Sequence, residues 1–251
     1  MVLGIAFLLL FSSTNEIQAQ DVDSLFVNAN KAYQQEDYLK ALDFYKEIEN
    51  HHVESGELYY NMANAYYKTN KVADAVFYYE KALILEPNNK DILFNLEFAK
   101  RMTLDNIEEL PKSVTQKFRD SIILKLTYNT WSIITVSLAF LFAILFLLYH
   151  FSYSTRVKRI YFITSGIVVI LVGLSLLFSY QNYKYVTNTR AAIIFAQQAQ
   201  VKSAPTSSSE VNFELHEGTK VFILESLDNW VKIKIADGKI GWIEDEDLKE
   251  L

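Results

Sequence analysis

The 251-residue sequence contains no cysteine, only three prolines and only seven glycines. The missing thiols exclude disulfide frameworks, cysteine nucleophiles, thiolate zinc sites and iron–sulfur clusters, and leave the redox compartment unmarked. The shortage of proline and glycine excludes collagen-like and low-complexity chains. Acid is nearly absent from one stretch, since residues 111–189 carry eight Lys/Arg and a single Asp/Glu. The flanking blocks have the opposite sign, with 9 Lys/Arg against 17 Asp/Glu over 21–110 and 7 against 11 over 190–251. Acidic blocks repel phosphates, so nucleic acid is not an expected partner. Neither a G-x-x-x-x-G-K-[ST] loop nor a G-x-G-x-x-G turn occurs, so the nucleotide-binding loops are missing too. The four histidines, His51, His52, His150 and His216, have no second ligand at metal-site spacing. No catalytic residue, metal or cofactor is expected.

What is present is apolar: 51% of residues are hydrophobic and 14% aromatic, which suits folded parts rather than a disordered chain. Residues 1–11 form an apolar run too short to cross a bilayer. A polar stretch and Ile17-Gln18-Ala19 follow, the order of a signal-peptide core and cleavage site, although no Lys or Arg precedes Lys31. Residues 1–19 are therefore expected to be a signal peptide.

Two runs without charge, 131–149 and 160–180, reach roughly 30 Å each as helices, the thickness of the hydrocarbon core. Tyr128, Trp131, Tyr149, Tyr153, Tyr161, Tyr180 and Tyr183 sit at their edges, where aromatic rings favour the headgroup level. Both are predicted transmembrane helices. The connecting loop 150–159 holds Arg156, Lys158 and Arg159, which places it in the cytoplasm. Lys112, Lys117, Arg119 and Lys125 before the first span, with Lys184 and Arg190 after the second, favour the reverse by count. A signal peptide outranks that count and delivers both soluble parts to the periplasm. Segment 111–130 is expected to be a basic juxtamembrane piece along the lipid surface.

A repeat occupies the first acidic block. Ala29, Asn30, Tyr33, Ala41 and Tyr45 recur as Ala63, Asn64, Tyr67, Ala75 and Tyr79, each 34 residues on. That is the tetratricopeptide period. Small residues at these positions let antiparallel helices approach closely, and Pro87 stops the last helix of the second repeat. The domain is expected over 21–110, with repeats at about 22–55 and 56–89 and a capping helix in 90–110. The first repeat carries Glu36 where the turn glycine usually stands. The resemblance implies a concave groove for peptides or helices, lined here by Phe26, Asn30, Tyr33, Tyr60, Asn64, Tyr67, Lys68, Phe94 and Phe98. Phe26, Asp91 and Asn95 stand where a clamp for a C-terminal carboxylate needs bases, which argues against that ligand.

From residue 191 the apolar period becomes two, through Val221, Ile223, Val231, Ile233 and Ile235. Asp237-Gly238 between Ile235 and Ile240 is a hairpin signal that asks for positive φ at both residues. Five short strands are expected. Val201-Lys202-Ser203-Ala204-Pro205, Leu215-His216-Glu217-Gly218-Thr219, Trp230-Val231-Lys232-Ile233 and Asp237-Gly238-Lys239-Ile240-Gly241-Trp242-Ile243 resemble the bacterial SH3 domain. The domain is expected over 190–251. The resemblance implies recognition of cell-wall peptides or neighbouring proteins through Trp230, Trp242 and Pro205, with at least one tryptophan sealing the barrel.

The fold class expected is thus multidomain: an all-α tetratricopeptide repeat, a two-helix transmembrane hairpin and a C-terminal all-β SH3-like barrel. With the segment from Asn95-Leu96-Glu97-Phe98 to Glu108-Glu109-Leu110-Pro111, this order resembles the BatE family of the bacterial aerotolerance (Bat) operons. That resemblance implies a non-catalytic scaffold in the bacterial inner membrane. Its implied partners are membrane-attached Bat proteins with von Willebrand factor A domains and a MoxR-type ATPase, besides membrane lipid. The alternative is a cell-wall sensor or anchor that binds peptidoglycan peptides through the SH3 domain.

Overall fold

The computed structural model describes residues 22–108 and 110–251. The expected signal peptide lies outside them. The chain begins as helical hairpins: α1 over 22–34, α2 (Tyr38–Asn50), α3 (Gly56–Lys68), α4 (Val72–Leu85) and α5 (Lys90–Lys100). The starts of α2, α3 and α5 have a local cause. Asp37 accepts from the Lys40 amide at 3.3 Å, Ser55 from Leu58 at 3.0 Å and Asn89 from Asp91 at 3.0 Å, which satisfies amides that no helical turn can reach. Ala29, Ala41, Ala63, Ala75 and Ala82 are fully buried where the helices cross. Tyr45, Met62, Tyr66 and Tyr79 fill the space beside them. Glu36 and Asn70, 34 residues apart, hold the interhelical turns at φ +62° and +58°. The missing turn glycine therefore changes the residue but not the left-handed conformation, which costs an L-residue about 1–2 kcal/mol.

The third unit is shorter than expected. Its helix ends at Lys100, and the segment beyond Thr103 leaves the helical block in extended form rather than continuing a cap over 90–110. A short helix, α6 (Val114–Phe118), then runs into a π-turn over Arg119–Ile123. Ser113 and Gln116 close the start of α6 as a reciprocal capping box. The basic juxtamembrane segment is therefore two short turns, with Val114, Phe118 and Ile122 exposed and Ile123 buried.

Two long helices follow, α7 (Tyr128–Phe151) and α8 (Thr155–Asn188), both long and apolar enough to cross a membrane. Only Ser152–Ser154 separates them, so Arg156, Lys158 and Arg159 stand in the first turns of α8 rather than in a loop over 150–159. Ser132 bonds Ser179 at 2.9 Å and Thr135 donates to Ser175 at 2.9 Å across the pair. Asn182 is buried and donates to the carbonyls of Ile123 and Leu126 at 2.8 and 2.6 Å. Short polar side chains of this kind fasten helices where apolar burial supplies no drive for association. The outward faces are apolar, through Ile133, Phe140, Leu147, Ile163 and Ile170.

Beyond Thr189 the chain forms β1 (Arg190–Ile194), β2 (Gln198–Lys202), β3 (Val211–His216), β4 (Lys220–Leu227), β5 (Trp230–Lys234), β6 (Ile240–Glu244) and β7 (Leu248–Glu250). The seven strands, two more than the alternation suggested, form one antiparallel sheet in the order β3-β2-β6-β5-β4-β1-β7. Ala192, Ile194, Val201, Leu215, Val221, Ile233 and Ile243 fill the interior. The β5–β6 hairpin corrects one expectation. Only Gly238 has positive φ, at +94°, and its amide donates to the Ile235 carbonyl at 3.0 Å. The loop is thus longer than a two-residue turn, and Asp237 serves by accepting from the Lys239 amide at 2.9 Å.

The barrel packs against the second helical repeat. Ile193 is fully buried in the helical core, and Phe195 meets Phe77 edge-on at 5.8 Å. The Lys249 ammonium lies 4.4 Å from the centre of the Phe77 ring. Beside them Glu80 of α4 is 6% exposed and joins Lys100 of α5 at 2.8 Å and Lys220 of β4 at 2.6 Å.

Candidate partner-binding site

The concave side of the helical block carries a cleft of about 390 Å³ lined by Tyr33, Tyr60, Asn64, Tyr67, Lys68, Tyr79, Phe94, Asn95 and Phe98. Seven of the nine residues expected in the groove meet here; Phe26 does not, and packs against the helical core with its ring 6.0 Å from Tyr45. Asn30 also lies outside the lining, tied to Tyr45 and Asn61. Phe94 and Phe98 supply the apolar end, exposed at 61% and 39%, with their rings 4.8 Å apart and the Arg101 guanidinium 5.1 Å from Phe98. Lys68 is exposed and adds positive charge at the rim.

The floor is a hydrogen-bonded ladder that repeats with the helices. Asn30 Oδ1 accepts from the Tyr45 hydroxyl at 2.6 Å and from Asn61 Nδ2 at 3.3 Å. One repeat on, Asn64 Oδ1 accepts from Tyr79 at 2.6 Å and from Asn95 Nδ2 at 3.0 Å. Asn95 also donates to the Tyr60 hydroxyl at 2.9 Å. The carbonyl ends of Asn30 and Asn64 are thus engaged within the block, and what each can offer a ligand is its amide N–H pair. Burial, with Tyr60, Tyr33 and Tyr67 adding to it, pushes the Tyr79 hydroxyl well above its usual range, so it stays a donor at all physiological pH. The same cause raises Tyr33, with Tyr38 and Tyr60 contributing. Asn95 and Tyr79 line the cleft and Asn61 joins the ladder, three residues that the expected set left out. The signal of the two asparagines in the sequence is a 31-residue spacing, Asn30 to Asn61 and Asn64 to Asn95, which joins the first helix of one repeat to that of the next, and that of Tyr79 is its 34-residue recurrence from Tyr45.

On the barrel, Trp242 is 9% exposed yet stands outside the interior cluster. Its strand neighbours are Lys202 of β2 and Lys232 of β5, and the Lys232 ammonium lies 5.5 Å from its ring centre. Lysine stems therefore cover this tryptophan while their charges stay wet. Trp230 is half-buried under the Lys202 ammonium, again at 5.5 Å. Lys202 also donates to the Ser207 carbonyl at 2.8 Å and so ties the loop of Pro205 to the same face. That loop is closed on itself, because Ser209 Oγ donates to the carbonyls of Ala204 and Thr206 at 2.8 Å each. Trp230, Trp242 and Pro205 belong to one Lys/Trp surface, of which Trp230 is the more accessible ring.

A helical groove, a small barrel with an aromatic face and a long apolar helix pair define an interaction protein assembled from separate recognition modules. Comparison with known families agrees for the helical block and the barrel. Residues 56–89 match the tetratricopeptide repeat family, and residues 198–249 match the bacterial SH3 domain. No curated protein matches the chain. Both matched families are typically non-catalytic interaction modules that bind proteins and, for the bacterial SH3 domain, peptidoglycan.

Proposed function

We propose that the chain is a non-catalytic inner-membrane scaffold that captures a protein segment in its helical groove. In this reading α7 and α8 cross the bilayer, both soluble modules stand in the periplasm, and the partners are membrane-attached Bat proteins with von Willebrand factor A domains. The resemblance to the BatE family supports that partner and a link to stress or oxygen tolerance. The observation that carries the reading is the cleft itself, with donors along its floor and the uncovered Phe94–Phe98 pair at its end. Tyr67→Ala with Phe94→Ala tests it by co-purification from detergent-solubilised membranes. Partner recovery should fall by at least ~10-fold, since truncating a central interface aromatic commonly costs about 2 kcal/mol or more. Undiminished recovery would reject the groove as the capture site.

A second reading rests on the Lys202–Trp242–Lys232 row beside Trp230, which suits an anionic wall peptide. Trp230→Ala should then abolish binding to purified sacculi and leave protein capture intact.

A further inference from the structure

The segment that leaves α5 does not behave as a linker. Over 103–108 its residues alternate: Thr103, Asp105 and Ile107 are half-buried, whereas Leu104, Asn106 and Glu108 are exposed. That is the periodicity of an extended strand with one face covered. The covering surface is the barrel. Asp105 Oδ2 accepts from the His216 backbone amide at 2.7 Å and from the Thr219 hydroxyl at 2.6 Å, while Oδ1 meets His216 Nδ1 at 2.7 Å. Ile107 packs against the barrel interior. The Leu110 amide donates to the Ala236 carbonyl at 3.2 Å.

Two turn glycines flank the seat. Gly218 and Gly238 have φ of +85° and +94°. A Cβ at Gly218 would lie 2.7 Å from Thr103, and one at Gly238 would lie 2.9 Å from Leu110. Both positions therefore serve the turn and also the close approach of the segment. Without the Asp105 carboxylate, an amide, an imidazole nitrogen and a hydroxyl would converge on a point with no acceptor. The segment also leaves room beside it. A cleft of about 600 Å³ opens between it and Phe213, Leu215, Ile235 and Lys239.

These contacts are side-chain recognition of an extended peptide: a carboxylate in a cradle of donors, a branched apolar residue two positions on, and an anchored main chain five positions on. We propose that this face of the barrel is a peptide-recognition groove for segments of the pattern Asp-x-Ile-x-x-Leu, held closed in cis by residues 103–108 and Leu110. The trans ligand is a protein segment that presents a carboxylate and a branched aliphatic side chain at the same spacing. Its entry releases the tie between the third helical unit and the barrel, while the Glu80 ion pairs still hold the two modules together. This groove is separate from the helical cleft and from the Lys/Trp face, so its use is independent of the function proposed above.

The test uses the full chain in detergent micelles, with amide resonances of His216 and Thr219 as reporters. The probe is a synthetic peptide of residues 102–111, and its control carries alanine at the aspartate. In Asp105→Ala with Ile107→Ser, the peptide should give saturable shifts at both reporters. The control should bind at least ~10-fold more weakly, as loss of hydrogen bonds to a charged group implies. The wild-type chain should not respond at the same concentration. A barrel that keeps its dispersed strand resonances but gives no shift up to ~10 mM peptide, above the millimolar effective concentration of a short tether, would overturn the proposal. So would an equal response from the wild type. Should the double variant lose the barrel fold, Asp105→Asn keeps the side-chain shape but removes the charge and turns one of the two accepting oxygens into a donor. Its reporters must then respond to the peptide more than the wild type does, and a null difference there counts equally against the groove.

Discussion

At the scale of single residues, Glu80 concentrates the electrostatics of the molecule. Burial pushes its carboxyl upward, but Lys220 and then Lys100 outweigh that and hold it below its ordinary value of 4.5. A depressed folded-state value stabilises the fold above pH 4.5, and that contribution is lost as the pH falls through the folded-state value. Glu80→Gln should therefore flatten the acid limb of the stability curve. Both lysines remain partly exposed and regain water when the carboxylate goes. The expected loss near pH 7 is accordingly about 1–3 kcal/mol, below the figure for a fully buried pair. Thermal melts of the full chain at several pH values between 3 and 7, a range set about the ordinary carboxylate pKa, check both points. Parallel curves for the variant and the wild type would contradict the assignment. Asp105 is poised in the same direction: burial raises it, while bonds from Thr219 and His216 bring it lower.

At the scale of elements, the helical block is the part with the least margin. Two and a half repeats fall short of the three that such arrays usually need. Ala75 is fully buried in α4, and adjacent residues Val76 and Tyr79 are fully packed as well. Ala75→Trp should unfold the block first, since overpacking costs about 1–3 kcal/mol or more. Hydrogen exchange resolved by segment should show protection lost over 22–100 before it is lost in β4 and β5. Unchanged protection in α3 and α4 would mean that the site tolerates the added volume. The barrel compensates part of the shortfall. Ile193 and Phe195 of its first strand region sit against Phe77, so the side of the second repeat is covered by another module instead of a further repeat.

At the scale of the whole molecule, the connections are short enough to fix orientation. Only Thr189 stands between α8 and β1. Asn88, in the turn after α4, donates to the Lys125 carbonyl just before α7. Arg119 stacks on Tyr185 of α8 at 4.3 Å. The helical groove therefore holds a set position over the helix pair. The absence of cysteine allows a direct test of topology. Ser208 lies in the exposed loop of the barrel, and Tyr153 is fully exposed between α7 and α8. With the proposed orientation, Ser208→Cys should react with a membrane-impermeant maleimide in intact spheroplasts. Tyr153→Cys should react only after permeabilisation, and the reverse pattern would invert the topology.

The sequence by itself determined the modules, because each has a local period. A 34-residue recurrence, two charge-free runs of helix-spanning length and a switch to period two do not depend on distant contacts. It also brought most of the groove together, since the 34-residue repeat puts Tyr33 with Tyr67, and Tyr60 with Phe94, at equivalent positions of successive first helices. Tertiary structure decided what those groups do. Asn30 and Asn64 engage their carbonyls with partners 15 and 31 residues away, which no single helix reveals. No local pattern marks Asp105 or Glu80, and their partners His216 and Lys220 lie 111 and 140 residues on. Such pairs form only once two modules dock. Docking follows from the shape and charge of assembled surfaces, which are properties that residue order carries but local pattern does not display.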